Sequence, residues 1–317
     1  MHFSNLEGFK PSITSKNNMN SNQSSLSQNN HNQNNVSRDN NLGTLYVVAT
    51  PIGNLDDVSQ RMRHTLANVS KIAAEDTRRT KRLLSHIGVD TPCFSFHDHN
   101  ERQKLDWLVQ LLEAGNSIAL VSDAGTPLIS DPGYPLVTEL RKRNMKVVAI
   151  PGPCALITAL SIAGLPSDRF IFEGFLPSKS AARLQKLQSI SKETATSIFY
   201  ESSHRIKACI EDMVIAFGKD RHIVIARELT KTFETVLDGS AFELSNLLAS
   251  DQNQTKGEFV VLVKGAEKSR IDLTAETQLL AVKLSEYLPK KKAAKITAEM
   301  FGDKKNLIYQ YLLDIED

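Results

Sequence analysis

Cysteine is scarce in this sequence, with only Cys93, Cys154 and Cys209 among 317 residues. Their odd number and wide spacing exclude a disulfide framework and a zinc pattern, and they fit a reducing, cytoplasmic compartment. No apolar run approaches the ~18–20 residues that a membrane-spanning helix needs. Aromatic residues make up only 6% of the chain, which argues against a broad platform for stacking bases. The formal net charge is only +2, so affinity for a polyanion has to come from local patches. Two phosphate-binding signatures are also missing. There is no G-x-x-x-x-G-K-[ST] loop, and no G-x-G-x-x-G follows the first apolar run, so nucleoside-triphosphate enzymes and Rossmann dehydrogenases are disfavoured.

The segment 1–42 holds 12 Asn and 8 Ser but three Lys or Arg and no hydrophobic stretch. It fits neither a secretory signal nor a transit peptide, and its composition predicts a disordered leader. Order is expected from Gly43. Short apolar runs at 45–49, 72–74, 118–121 and 147–150 alternate with stretches of helical period. One such stretch runs from Arg102 to Glu113, with Leu105, Leu108, Val109 and Leu112 on one face. Alternating strands and helices predict a doubly wound α/β domain over about 43–151. A second, mixed α/β domain is expected over about 152–266, with strands at 171–172, 197–200, 223–226 and 259–263 and helices near 203–217 and 240–249. Beyond Gly265 a polar linker leads to helical patterns at about 274–287 and 291–314, the second interrupted by Phe301-Gly302-Asp303. This predicts a small helical appendage, either helix–turn–helix-like or a hairpin packed on the second domain.

In open α/β sheets ligands gather at the carboxyl ends of the strands. Three such ends carry unusual residues. Thr50-Pro51-Ile52-Gly53-Asn54 follows the opening run, where Pro51 stiffens the chain and Gly53 permits close backbone approach; an ordinary strand-to-helix turn is the plain alternative. Ser122 to Gly133 packs Asp123, Gly125, Asp131 and Gly133 together with two prolines. Its carboxylates suit a sulfonium or ammonium cation or a ribose hydroxyl, although such a loop also serves as a helix-capping turn. Pro151-Gly152-Pro153 follows the fourth run and reads as a corner between domains, a common location for a site.

Together these loops resemble the SAM-binding segments of the tetrapyrrole (corrin/porphyrin) methylase family, where SAM is S-adenosylmethionine. The resemblance is carried by YVVATPIGNLDD (46–57), AEDTRRTKR (74–82), SFHDHNE (95–101), LVSDAGTPLISDPG (120–133) and PGPCALITA (151–159), and by FYESSHR (199–205), ARELTK (226–231) and KGEFVVLV (256–263). EDTR, HDHNE and ARELTK together resemble the family's RNA-modifying branch. The resemblance implies two α/β domains with SAM folded into the cleft between them, commonly in a homodimer. It also implies methyl transfer to the ribose 2′-hydroxyl of a cytidine in the decoding region of 16S rRNA, with the small ribosomal subunit as partner. Cofactor contacts would come from Pro51, Gly53, Asp123, Ala124, Gly125, Thr126, Asp131, Gly133, Pro151, Gly152 and Ala155, together with Gly257 and Glu258.

A ribose hydroxyl is a poor nucleophile, and a general base adds roughly 10²–10⁴-fold. Glu75 and Asp76 are the candidate bases, with His97, Asp98 and His99 as a second set. Arg227, Glu228 and Lys231 form another compact charged set, of which Arg227 and Lys231 are candidate catalytic residues. Arg78, Arg79, Lys81 and Arg82, the pair His97 and His99, and Lys290, Lys291 and Lys292 are the candidate RNA contacts. Any one of these charges also reads as a solvated helix face. The two histidines have the alternate spacing of metal ligands but lack a companion cluster, so no metal is assigned. Two alternatives remain: a methylase acting on a tetrapyrrole or other small molecule, and a non-catalytic ribosome-binding module.

Overall fold

The computed structural model describes residues 42–267 and 273–315. The Asn/Ser leader and part of the expected linker lie outside the described residues. The first sheet comprises β1 (Leu45–Val48), β2 (Lys71–Ala74), β3 (Cys93–Ser95), β4 (Ile118–Val121) and β5 (Val147–Ile150), in the order β3-β2-β4-β1-β5 and parallel throughout. Side chains alternate along each strand between its two faces. Val48, Ile72, Ala74, Ala119 and Val121 pack against α1 (Gln60–Asn68) and α2 (Thr77–Ile87). Leu45, Ala73, Ile118 and Leu120 pack on the other face against α3 (Glu101–Glu113) and α4 (Tyr134–Lys142). Helices thus cover both faces, as in a doubly wound sheet, and this explains why the strands read as continuous apolar runs.

Helix α5 (Ala155–Ile162) leads into the second sheet. Its parts are β6 (Phe170–Phe175), α6 (Ser180–Ser189), β7 (Thr196–Ser202), α7 (Ile206–Phe217), β8 (His222–Arg227), β9 (Thr235–Ser240), α8 (Ala241–Ser250) and β10 (Glu258–Val263). The strand order is β6-β7-β10-β8-β9; only β6 and β7 run parallel, and the other neighbours are antiparallel. Phe199, Ile223, Ile225 and Val261 face α6, α7 and α8. The opposite face, with Ile198, Val224, Val260 and Leu262, buries α5 and also Ile52 from the loop after β1. That apolar contact fixes the first sheet's loop against the second sheet.

The C-terminal region forms three helices, α9 (Ala275–Ser285), α10 (Lys290–Phe301) and α11 (Lys305–Asp314), around Ala281, Ala293, Ala294, Ile308 and Leu312. The break expected at Phe301-Gly302-Asp303 separates α10 from α11, because Gly302 adopts a left-handed φ of 75° and closes α10.

Candidate active site

The four loops at the carboxyl edge of the first sheet are knitted to one another before any ligand is considered. Thr50 and Gly125 exchange backbone hydrogen bonds of 2.8 and 3.0 Å, joining the loops after β1 and β4. The Thr126 hydroxyl donates to the Pro153 carbonyl at 3.0 Å, bringing in the loop after β5. The Asp76 N–H donates to Asp123 Oδ1 at 2.9 Å, and the Asp123 N–H donates to Glu75 Oε2 at 3.2 Å. These reciprocal bonds lock the loop after β2 to the loop after β4. Leu128 and Ser130 hold positive φ angles of 74° and 66°, a conformation non-glycine residues rarely adopt and one that collects at ligand loops.

A cleft of about 480 Å³ lies between this edge and the second sheet, within the usual size range of small-molecule sites. One wall carries Glu75, Asp123 and Asp131 with the backbone of Ala124, Gly125 and Thr126. The opposite wall is largely apolar, with Ala226, Leu229, Phe259 and Val260, and Gly257 and Glu258 stand at its end. Ile52, Ile129, Cys154 and Ala155 close the floor, while Phe175, Tyr200, Ser202 and Ser203 line the side formed by β6 and β7. The Tyr200 hydroxyl accepts the Leu156 N–H at 3.2 Å, which satisfies an otherwise uncapped donor in the first turn of α5.

The acidic wall has an unusual electrostatic balance. Burial pushes the Asp131 carboxyl up to about 7, and the negative charges of Glu75, Asp123 and Asp98 add to the rise, against a hydrogen bond from Ser122. Glu75 is raised too, first by burial, with the Asp123 N–H working in the opposite direction. Asp76 differs from both: it caps α2 by accepting the Arg78 N–H at 2.8 Å, and two bonds from the Arg78 side chain hold it well below the usual carboxylate range.

Of the residues singled out in the sequence, the cleft brings together Glu75, Arg79, Asp123 to Thr126, Asp131, Ala155, Gly257 and Glu258. Pro51 and Arg82 line a smaller cavity beside it. Gly133 packs against Leu120 and Leu128 at the start of α4, and Gly152 lies against Ala49, so both shape loops from outside the lining. Pro151 is exposed beside it. Arg227 donates to the carbonyls of Lys256 and Phe233 at 2.7 and 3.1 Å, holding the loop after β8. Lys231 bonds Glu228 and Glu258, each at 2.8 Å; burial opposes its charge, but the two carboxylates raise its pKa overall. The His97 ring contacts Asn100 and stacks edge-on with His99, in the loop before α3. Arg78 and Lys81 are exposed on α2, and Lys290, Lys291 and Lys292 form the first turn of α10. Three cations there oppose the helix dipole, an arrangement that stability alone does not favour.

Sequence reasoning assigned no role to Phe175, Ile129, Ser130, Cys154 or the Tyr200–Ser203 segment. FYESSHR was visible as a motif, and its serines at a strand end were the available signal. Asp123→Ala removes the acceptor for the Asp76 N–H and the partner of Arg79. It is expected to weaken SAM binding about tenfold or more; isothermal titration showing unchanged affinity would remove Asp123 from the site.

A doubly wound parallel sheet that closes an acidic cleft against a mixed sheet defines the class: an α/β protein built on two five-stranded sheets. Residues 44–245 match the family model for tetrapyrrole (corrin/porphyrin) methylases, and 272–316 match that for the RsmI C-terminal HTH domain. The chain is 54% identical over 273 residues to the ribosomal RNA small subunit methyltransferase I of Haemophilus influenzae, covering 85% of this chain and 96% of that protein. The Escherichia coli O157:H7 protein of the same name is 51% identical over 278 residues, covering 88% and 97%. Among solved structures, the methyltransferase CobJ superposes with a TM-score of 0.53 at 17% identity, covering 71% of this chain and 95% of that one. Diphthine synthase does so with 0.53 at 14%, covering 70% and 89%. These two likenesses show the fold alone. The chain belongs to the tetrapyrrole methylase family, in the branch of the ribosomal RNA small subunit methyltransferases I.

Proposed function

We propose that this protein is a SAM-dependent methyltransferase that 2′-O-methylates the ribose of a cytidine in the decoding region of 16S rRNA. The observation that carries the reading is the cleft itself. Three carboxyl groups face a largely apolar wall in a space of about 480 Å³. That donor set fits SAM, whose sulfonium and ammonium groups suit the acidic wall and whose adenine and thioether suit the apolar one. Asp123 to Thr126 and Ala155 on one side and Leu229, Gly257 and Glu258 on the other would hold it. When bound, the cofactor supplies an electrophilic methyl group for in-line displacement.

The chain's own contribution is orientation, exclusion of water and management of one proton. The hydrogen bonds between loops fix the acidic wall in advance, so little reorganisation accompanies binding. In this reading Asp131 takes the ribose hydroxyl proton, because a carboxyl raised to about 7 is well matched to proton transfer at neutral pH. Burial raises that value most, and Glu75 adds to the rise through its neighbouring negative charge. Arg79 stands at the mouth of the cleft, mostly exposed, and suits an RNA phosphate.

The partner in this reading is the small ribosomal subunit, with the basic first turn of α10 as a further RNA contact. A homodimer and a cytoplasmic location are part of the same proposal, and exposed apolar side chains such as Tyr134, Ile157 and Phe233 are in keeping with the dimer. No helix among the described residues is long and apolar enough to cross a membrane. The test is transfer of labelled methyl from SAM to small subunits that lack this modification, with the product nucleoside identified. Label recovered as 2′-O-methylcytidine is the expected result. Label on a base, or none despite SAM binding, would overturn the assignment.

A further inference from the structure

A second cavity of about 220 Å³ opens beside the cleft and shares Arg79 and Asp123 with it. It lies between the loop after β1 and helix α2, with Pro51, Leu55 and Leu83 as apolar walls and Arg79 and Arg82 on its α2 side. Residues three apart project from the same face of a helix, so these two guanidinium groups act together. Arg78 does not join them. Its side chain is taken up by Asp76 at 2.7 and 3.1 Å. Arg79 reaches Asp123 only at 3.5 Å, with 61% of its side chain exposed. Arg82 is exposed, and no ion pair holds it among the described residues.

This combination is selective. A free phosphate gains nothing from Pro51, Leu55 and Leu83, and an apolar ligand gains nothing from two arginines. A nucleotide uses both, placing a base face on the apolar walls and a phosphodiester on the guanidinium groups. Asp123 is the opposing charge on the shared wall, but it already accepts the Asp76 N–H and faces Arg79. The shared residues place any occupant directly beside whatever fills the main cleft.

We infer that this side cavity seats the nucleotide adjoining the target ribose, with its base against Pro51, Leu55 and Leu83 and its phosphodiester on Arg79 and Arg82. The inference rests on the RNA reading of the cleft. It makes Arg82, remote from SAM, a determinant of substrate binding. The two arginines then account for a specific part of the salt dependence.

The test uses the full chain and unmodified small ribosomal subunits, comparing wild type, Arg82→Ala, Leu55→Trp and Arg141→Ala. The last removes an exposed charge from α4, away from both cavities. Subunit affinity is measured across a salt series, and SAM affinity separately. Arg82→Ala is expected to weaken subunit binding about tenfold and to reduce the slope of log affinity against log salt by about 0.7, the contribution of one single-strand phosphate contact. Leu55→Trp, which fills the cavity without changing charge, is expected to raise the KM for subunits and leave the slope alone. SAM affinity stays at the wild-type value in both. Arg82→Ala with wild-type affinity and slope, or with no more effect than Arg141→Ala, overturns the inference while the methyltransferase reading stands. A wild-type protein that transfers no methyl to subunits overturns the RNA reading and the inference with it.

Discussion

Asp131→Asn is expected to lower the single-turnover rate of methyl transfer by about 10²–10⁴, the usual contribution of a general base, while SAM and the subunit still bind. The same variant should be more heat-stable than wild type at about pH 8. Asp131 is raised to about 7 in the folded protein, primarily by burial. A carboxyl raised on folding favours the native state at low pH, where it is protonated in both states. That contribution fades as pH climbs above the unfolded value and is lost once pH passes through the folded one. At alkaline pH the wild-type cleft therefore holds an ionised group at a cost, and a neutral amide of the same shape relieves it. A residue retained for structure would lose stability when replaced. Slower transfer together with a higher Tm identifies a group kept for chemistry, whereas a lower Tm would point to a structural role.

The second large effect is expected at Gly53. A β-carbon built there would lie 2.5 Å from Lys231 Cγ, 2.8 Å from Thr230 Oγ1 and 2.9 Å from the Leu229 carbonyl. The lysine side chain could swing aside, but the carbonyl belongs to a backbone fixed by several bonds. Asn54 donates its N–H to Thr230 Oγ1 at 3.0 Å, and Thr230 and Glu228 hold positive φ angles of 66° and 50°. On the far side Gly257, with φ of 105°, leaves room for the Glu228 side chain, where a β-carbon would come within 2.5 Å. The missing side chain of Gly53 thus lets the loop after β1 meet the loop after β8, and that of Gly257 lets the loop after β8 meet the start of β10. Gly53→Ala forces the loops after β1 and β8 apart, and overpacking of this kind costs roughly 1–3 kcal/mol. SAM affinity should fall about tenfold or more, because Ile52 and Leu229 line the cleft from these two loops. Gly164→Ala is the comparison: its φ of 65° is also positive, but open space surrounds it. It should lower Tm and leave SAM affinity unchanged. Equal SAM affinity in Gly53→Ala and wild type would mean that the loop junction does not shape the cofactor wall.

The first sheet was legible because burial on both faces turns each central strand into an apolar run, as at Leu45–Val48 and Ile118–Val121. Strand β3 was not, since Cys93–Ser95 is three residues long, half-buried and at the sheet edge. Strand β9 escaped for a related reason. It is an edge strand whose Thr235–Ser240 sequence carries Asp238 and Gly239 and few apolar side chains. In the site, the loops of the first sheet announced themselves through glycine, proline and aspartate close together in sequence. What stayed hidden depends on pairing between distant segments. Tyr200 reaches the cleft because β7 lies between β6 and β10. Asn54 and Thr230, 176 residues apart, become neighbours only when the two sheets close. Local pattern carries no signal for either. The split between Arg78, held by Asp76, and Arg82, left exposed, is likewise a matter of side-chain direction and not of the run of basic residues.

Two neighbouring carboxyls share the work in the cleft: Asp131 takes the proton, and Glu75 adds to the rise in its pKa that burial begins. The measurement that tests this most directly is the pH dependence of single-turnover transfer by wild type and Glu75→Gln, at saturating SAM and subunits. Transfer should rise with pH as Asp131 ionises, with a midpoint at or below about 7 in the wild type, because a bound cation draws the carboxyl toward its charged form. Removing the Glu75 charge should move that limb to lower pH. Coincident limbs in the two proteins, or rates independent of pH in both, would contradict the proposed division of labour.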